Sequence, residues 1–183
     1  SIMSTIKVDR IEPQDGLQNN AMGGIVQVVR VVHTGQVSAT STTYVSTGLQ
    51  ASITPRSASN KIMVSFEHSV YHDNGTSPGG NVVFHGIRIK KGTQVIYTPP
   101  TNNNGPYDFG IGLFDTNPHG SITGRSRVEY LDSPATTGSI TYSTEIALHN
   151  DPYGNEGILY VNYNASETVT AAQSWMTLVE ITA

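Results

Sequence analysis

Apolar and polar residues alternate without a break over 61–71. Ile62, Val64, Phe66, His68 and Val70 share one parity, and Met63, Ser65, Glu67, Ser69 and Tyr71 share the other. A period of two is the mark of a strand with one face on a core. The stretch 25–33, IVQVVRVVH, behaves differently. It is apolar on both parities, as expected of a strand covered on two sides or lying at a subunit interface. Further strand signals fall at 37–45, 47–55, 81–90, 94–98, 107–114, 121–131, 138–149, 157–163 and 174–182. Pro55 closes the second of these runs, and KKGT at 90–93 predicts a hairpin turn. That makes about ten strands. Only Ala165 to Gln173 lacks both periods, and Ser166, Thr168 and Thr170 argue against a helix there.

The pattern predicts an all-β fold, an antiparallel β-sandwich or jelly-roll-like knob, over residues 25–183. Residues 1–24 read as an extended N-terminal arm. Their one apolar alternation, Ile6 and Val8 followed by Ile11, gives way to Pro13, Asp15-Gly16 and Asn19-Asn20. Too little apolar surface is present to fold alone. Ile6, Val8 and Ile11 are the expected anchoring contacts on a neighbour.

Composition narrows the function classes. Charged residues are 13% of the chain, about half the share usual in a soluble domain, which suits a surface partly covered by other subunits. The net charge is −4 and the ten basic residues are scattered, the wrong sign and pattern for a nucleic-acid partner. With no cysteine, disulfide frameworks and thiolate metal sites are excluded. No apolar run approaches the roughly 18 residues of a membrane helix, so no membrane insertion is expected. The start lacks a signal-peptide core, and assembly in a cytoplasm is the expectation.

His68 and His85 both lie on apolar strand parities, the second with Val83, Ile87 and Ile89. They are expected to point inward as neutral imidazoles with one hydrogen bond each. A metal site built from His68, His72 and Asp73 is the sharper alternative. Strand parity puts the two histidines on one face about 13 Å apart, too far for one ion with bonds near 2 Å. No cofactor is expected, though an ion on a threefold axis, with one histidine from each of three chains, stays open. His33, His119 and His149 read as edge or solvated residues.

No nucleophile elbow or phosphate loop occurs, and FGIGLF lacks the third glycine of a dinucleotide fingerprint. Glu67, Glu129, Glu145, Asp132, Asp151 and Glu156 could supply a glycosidase pair, but no spacing selects two of them, and the chain is read as a non-enzyme. The connections 72–81, 99–106 and 150–156 are long and rich in Gly, Asn and Pro. Such loops on a rigid scaffold carry binding. Tyr71, His72, Asp73, Asn74, Asn103, Tyr107, Asp151 and Tyr153 are the candidate surface-binding residues, since tyrosine with Asn or Asp stacks on and hydrogen-bonds a sugar or protein.

Three motifs carry a family resemblance. STIKVDRIEPQDG at 4–16 resembles the attachment arm that opens many small fibre proteins of bacteriophages, especially marine and cyanobacterial ones. TGLQASITPRSASNKIMVSF at 47–66 is similar to their body motif. VEYLDSPATTGSITY at 128–142, with the terminal SWMTLVEITA, is similar to the signature of their C-terminal knobs. The resemblance runs from Ser4 to Ala183 in matching order. It implies a virion fibre or knob protein, a β-sandwich that trimerises. The arm would hold it to other virion proteins, and the distal loops would touch a host surface glycan or protein. Loops 72–81 and 99–106 match nothing in the pattern, and no catalytic residue carries over. A homotrimer would bury the surplus apolar face of 25–33, with Ile25, Val29, Val31 and His33 as the expected interface. Rival readings are a capsid-decorating or cementing protein without a receptor role, and a carbohydrate-active enzyme acting on host polysaccharide.

Overall fold

The computed structural model describes residues 24–73, 82–98, 111–114, 121–149, 157–163 and 172–183. Among them are eleven strands and no helix. They are β1 (Ile25–His33), β2 (Val37–Ala39), β3 (Val45–Ile53), β4 (Lys61–Asp73), β5 (Val82–Lys91), β6 (Gln94–Tyr97), β7 (Ile111–Phe114), β8 (Ser121–Asp132), β9 (Ile140–His149), β10 (Ile158–Val161) and β11 (Ser174–Ile181). The expected all-β sandwich is present: two antiparallel sheets close on a shared core.

The six-stranded sheet, here sheet A, is organised by β4. Along one edge β4 pairs first with β11, which continues to β1, and then with β10, which continues to β2. Along its other edge it pairs with β8 over its whole length. Sheet B has the order β3-β9-β5-β6, with β7 also beside β5. Ile62, Val64, Phe66 and Val70 of sheet A pack against Leu49, Ile87, Ile146 and Leu148 of sheet B, and all are buried. Each fully buried residue of this size stabilises the fold by roughly 1.5–3 kcal/mol.

Local chemistry explains the turns. Gly92 (φ 59°) and Thr93 form the two-residue link between β5 and β6, a place where only positive φ matches the twist of the strands. The expected strand 37–45 is shorter than its pattern. Only Val37–Ala39 pairs, and strand resumes at Val45. The intervening run of serines and threonines bends instead, with Thr43 N donating to Ser41 Oγ at 3.3 Å, the local competition typical of these side chains. The expected boundary at Tyr71 also moves: β4 continues to Asp73.

Buried polar groups tie distant segments together. Glu180 of β11 is fully buried and accepts from Asn60 Nδ2 (2.6 Å), Gln27 Nε2 (2.5 Å) and the Arg56 backbone N–H (2.7 Å). Asp132 at the end of β8 accepts from the Tyr142 hydroxyl at 2.7 Å and from Lys91 Nζ at 3.0 Å. Asn162, buried at φ 56°, donates from its side-chain amide to the carbonyls of His33 and Gly35 and accepts from Ser174 Oγ. Asn60, Asp132, Tyr142 and Glu180 all lie within the segments 47–66, 128–142 and 174–183 quoted above.

Candidate functional site

The two outer faces of the sandwich are chemically unlike. Outward on sheet B, Ser46, Gln50 and Ser52 of β3 lie beside Glu145, Ser143 and Thr141 of β9, and Glu145 and Ser143 lie beside Arg88 and Lys90 of β5. Arg88 and Lys90 both bond Glu145, at 2.5 and 3.1 Å. Burial pushes the Glu145 carboxyl up, but these hydrogen bonds outweigh it and hold the group below the usual range. This face is hydrophilic and internally paired.

The outer face of sheet A carries one row that is apolar throughout. Register places Val28 of β1 opposite Val179 of β11, Val179 opposite Met63 of β4, and Met63 opposite Leu131 of β8. Four strands thus contribute one uninterrupted apolar row. At its β1 end lie Ile25 and Ile181, also paired. Ile25 is 70% exposed, Val28 56%, Val32 51% and Leu131 49%. Among the described residues these are four of the five exposed large apolar side chains; the fifth, Val95, is on β6. The next row reads Arg30, Thr177, Ser65, Glu129, and the one after it Val32, Trp175, Glu67, Arg127. Arg30 and Arg127 both lie over the Trp175 ring, at 4.8 and 5.6 Å from its centroid, a favourable cation–π geometry. The apolar row is thus bordered by charged side chains and an aromatic ring.

This finding corrects the expected interface. Val29 and Val31 turn inward and pack on the core. The imidazole of His33 lies against the backbone of Gly35 and Gly48, where an added Cβ would come within 3 Å of its Nε2. Gly48, at φ 76°, sits where the β3–β9 register shifts. Of the nominated set only Ile25 faces outward. The cause is a bulge: register shifts between Ile25 and Gln27, which breaks the parity that Ile25, Val29, Val31 and His33 share in the sequence.

The nominated binding residues divide. Tyr71, His72 and Asp73 are strand, not loop. His72 is buried and so is not a surface contact. Tyr71 stacks on Tyr163 with centroids 4.0 Å apart and tilts against Tyr160, making a half-exposed aromatic corner at one end of sheet A. Asn74, Asn103, Tyr107, Asp151 and Tyr153 lie outside the described residues, as do Ile6, Val8 and Ile11.

His68 and His85 point inward as expected. His68 Nε2 is 3.0 Å from Thr144 Oγ1, His85 Nε2 is 2.7 Å from Ser126 Oγ, and neither Nδ1 has a partner. Burial pushes His68 down to about 3 and His85 to about 4, with smaller contributions from neighbouring imidazoles. Both are therefore neutral near pH 7. Among the described residues no three His, Asp or Glu side chains are grouped to hold a metal. Of the carboxylates considered as a catalytic pair, the four among the described residues are separately engaged, Glu67 with Arg125, Glu129 with Arg127, Asp132 with Lys91 and Glu145 with Arg88; Asp151 and Glu156 lie outside the described residues. Glu129 and Glu145 lie on opposite outer faces and share no cleft.

The molecule is thus a β-sandwich with a polar outer face on sheet B and, on sheet A, an outer face where one apolar row lies beside rows that carry charge. Neither a scan against protein-family models nor a search of the curated proteins finds a match to the chain.

Proposed function

We propose that this chain is a non-enzymatic bacteriophage virion component, a homotrimeric fibre or knob subunit that attaches the particle to its host surface. The observation that carries the reading is the exposed apolar surface on the outer face of sheet A. Ile25, Val28, Val32 and Leu131 are already partly buried, so covering each is worth roughly half to two-thirds of the 1.5–3 kcal/mol of a full burial. The sum, about 3–7 kcal/mol, reaches the low end of a domain's whole stability and favours an assembly that covers these side chains. The motif resemblance supplies the setting: an arm at residues 4–24 held by other virion proteins, and loops 72–81, 99–106 and 150–156 presented to a glycan or protein. Three weak sites on one rigid head gain affinity by engaging a surface together.

Light scattering on the purified chain and binding to host cells test this. The expected results are a trimer at micromolar concentration, and loss of cell binding in Tyr107→Ala or Tyr153→Ala variants that remain trimeric. A stable monomer would overturn the assembly. Unchanged cell binding by both variants would favour the capsid-cementing reading, which has the same assembly without a receptor role.

A further inference from the structure

The outward rows of sheet A are directional. The apolar row ends in Val28 on β1 and in Leu131 on β8, its two most exposed members. The row beside it ends in Arg30 on β1 and in Glu129 on β8. Each end of the sheet therefore offers one exposed aliphatic group and one charge, at matching levels and with opposite charge signs. Arg30 has no carboxylate partner among the described residues, its only described contact being the Trp175 ring. Glu129 is held by one exposed arginine, Arg127, a weak pairing in water.

β1 and β8 are also unpaired on their outer sides among the described residues. β1 is nine residues long and rich in valine. A long, apolar, exposed edge of this kind invites strand pairing unless something covers it. Three successive antiparallel steps separate β1 from β8, through β11 and β4. The two edges consequently run in opposite senses. Rotating a second copy about an axis along the strands brings its β8 beside the first copy's β1 in the antiparallel sense that every other neighbour in the sheet adopts.

Resting on the reading of the chain as a homotrimer, we propose that the copies join head to tail. The β1 edge of each meets the β8 edge of the next, Val28 packs on the neighbour's Leu131, and Arg30 pairs with the neighbour's Glu129. Sheet A then faces the axis. A two-fold contact through β1 centred on Arg30 would instead set two like charges face to face, and one centred on Val28 would leave Arg30 opposite Val26 with no charge partner. Head-to-tail contacts close into rings when the rotation permits, and such a ring leaves neither β1 nor β8 as an open edge.

The chain has no cysteine, so cross-linking reads the contact directly. Within one chain, Val28 and Leu131 are three strand spacings apart, about 14 Å, far beyond disulfide reach. A Val28→Cys, Leu131→Cys double variant, oxidised at micromolar concentration, should give a covalent trimer on a non-reducing gel. Either single-cysteine variant should give none. A covalent dimer from Val28→Cys alone would mean a two-fold contact and overturn the proposal. So would a double variant that stays uncrosslinked while the native chain is trimeric, and in that case the trimer itself would stand. A native chain that is monomeric would remove both.

Charge exchange gives a second readout. Arg30→Glu and Glu129→Arg should each weaken association tenfold or more, and the combined variant should recover most of the loss. No change in either single variant, with the fold verified by circular dichroism, also counts against the pairing.

Discussion

Asn60 donates from its side-chain amide to Glu180 at 2.6 Å, joining the loop before β4 to the last strand of the chain. The hydrogen bonds to Glu180 from Asn60, Gln27 and the Arg56 backbone N–H all come from neutral donors. Burial pushes this carboxyl up, but the hydrogen bonds outweigh burial and hold it below the usual range. Replacing Glu180 by Gln turns an acceptor into a donor facing other donors. The expected cost is about 2–4 kcal/mol, and Asn60→Ala should cost about 1–3 kcal/mol. Urea unfolding measures both. A Glu180→Gln variant within about 0.5 kcal/mol of native, the usual range of a neutral surface change, would deny the carboxylate its fastening role.

The buried histidines predict acid lability. His68 titrates near 3 and His85 near 4 in the folded chain, against 6.5 ordinarily. As pH falls, the unfolded chain therefore takes up these two protons first. The stability that depends on the neutral forms is complete above about pH 6.5 and drains away as pH falls toward 4. Two protons give a slope of about 2.7 kcal/mol per pH unit, or roughly 4 kcal/mol between pH 7 and pH 5. Glu145 and Glu180, whose folded values also lie below the ordinary one, act in the same direction below about 4.5. Denaturant titrations at pH 7, 6 and 5 should show the fall, and His85→Gln should roughly halve it. Equal stability at pH 7 and pH 5 would contradict the burial of neutral imidazoles.

Ala135, in the link between β8 and β9, has φ 53° and is exposed. A side chain there costs roughly 1 kcal/mol that glycine escapes, less the entropy glycine adds to the unfolded chain. Ala135→Gly should raise stability by up to about 0.5 kcal/mol, whereas Ala135→Val should lower it by more than about 1 kcal/mol. Thermal melts decide between these signs. A glycine variant that melts lower than native would refute the backbone argument.

Trp175 is the only tryptophan in the chain and stands in the outward rows of sheet A, between Arg30 and Arg127. If that face is covered by other copies, dilution through the dissociation range should shift its emission to the red and increase acrylamide quenching. An emission maximum independent of concentration, in a sample that light scattering shows to be dissociating, would place the contact elsewhere.

Strand content was legible because alternation is a local property. Ile62, Val64, Phe66, His68 and Val70 announce one buried face whatever lies across from them, and the inward histidines followed from the same parity. The anchoring role of Asn60 and Glu180 was not legible, since the two meet only when the last strand docks beside β4.

From the order of its residues alone, this chain is committed to strands, to a core on one parity, and to low charge that suits a covered surface. Which side of β1 is left exposed was settled only by tertiary structure. A bulge between Ile25 and Gln27 exchanges the parity on which the sequence pattern relies. Four strands remote in sequence then align Val28, Val179, Met63 and Leu131 into one row. Register depends on pairing partners, and no single stretch of chain contains it.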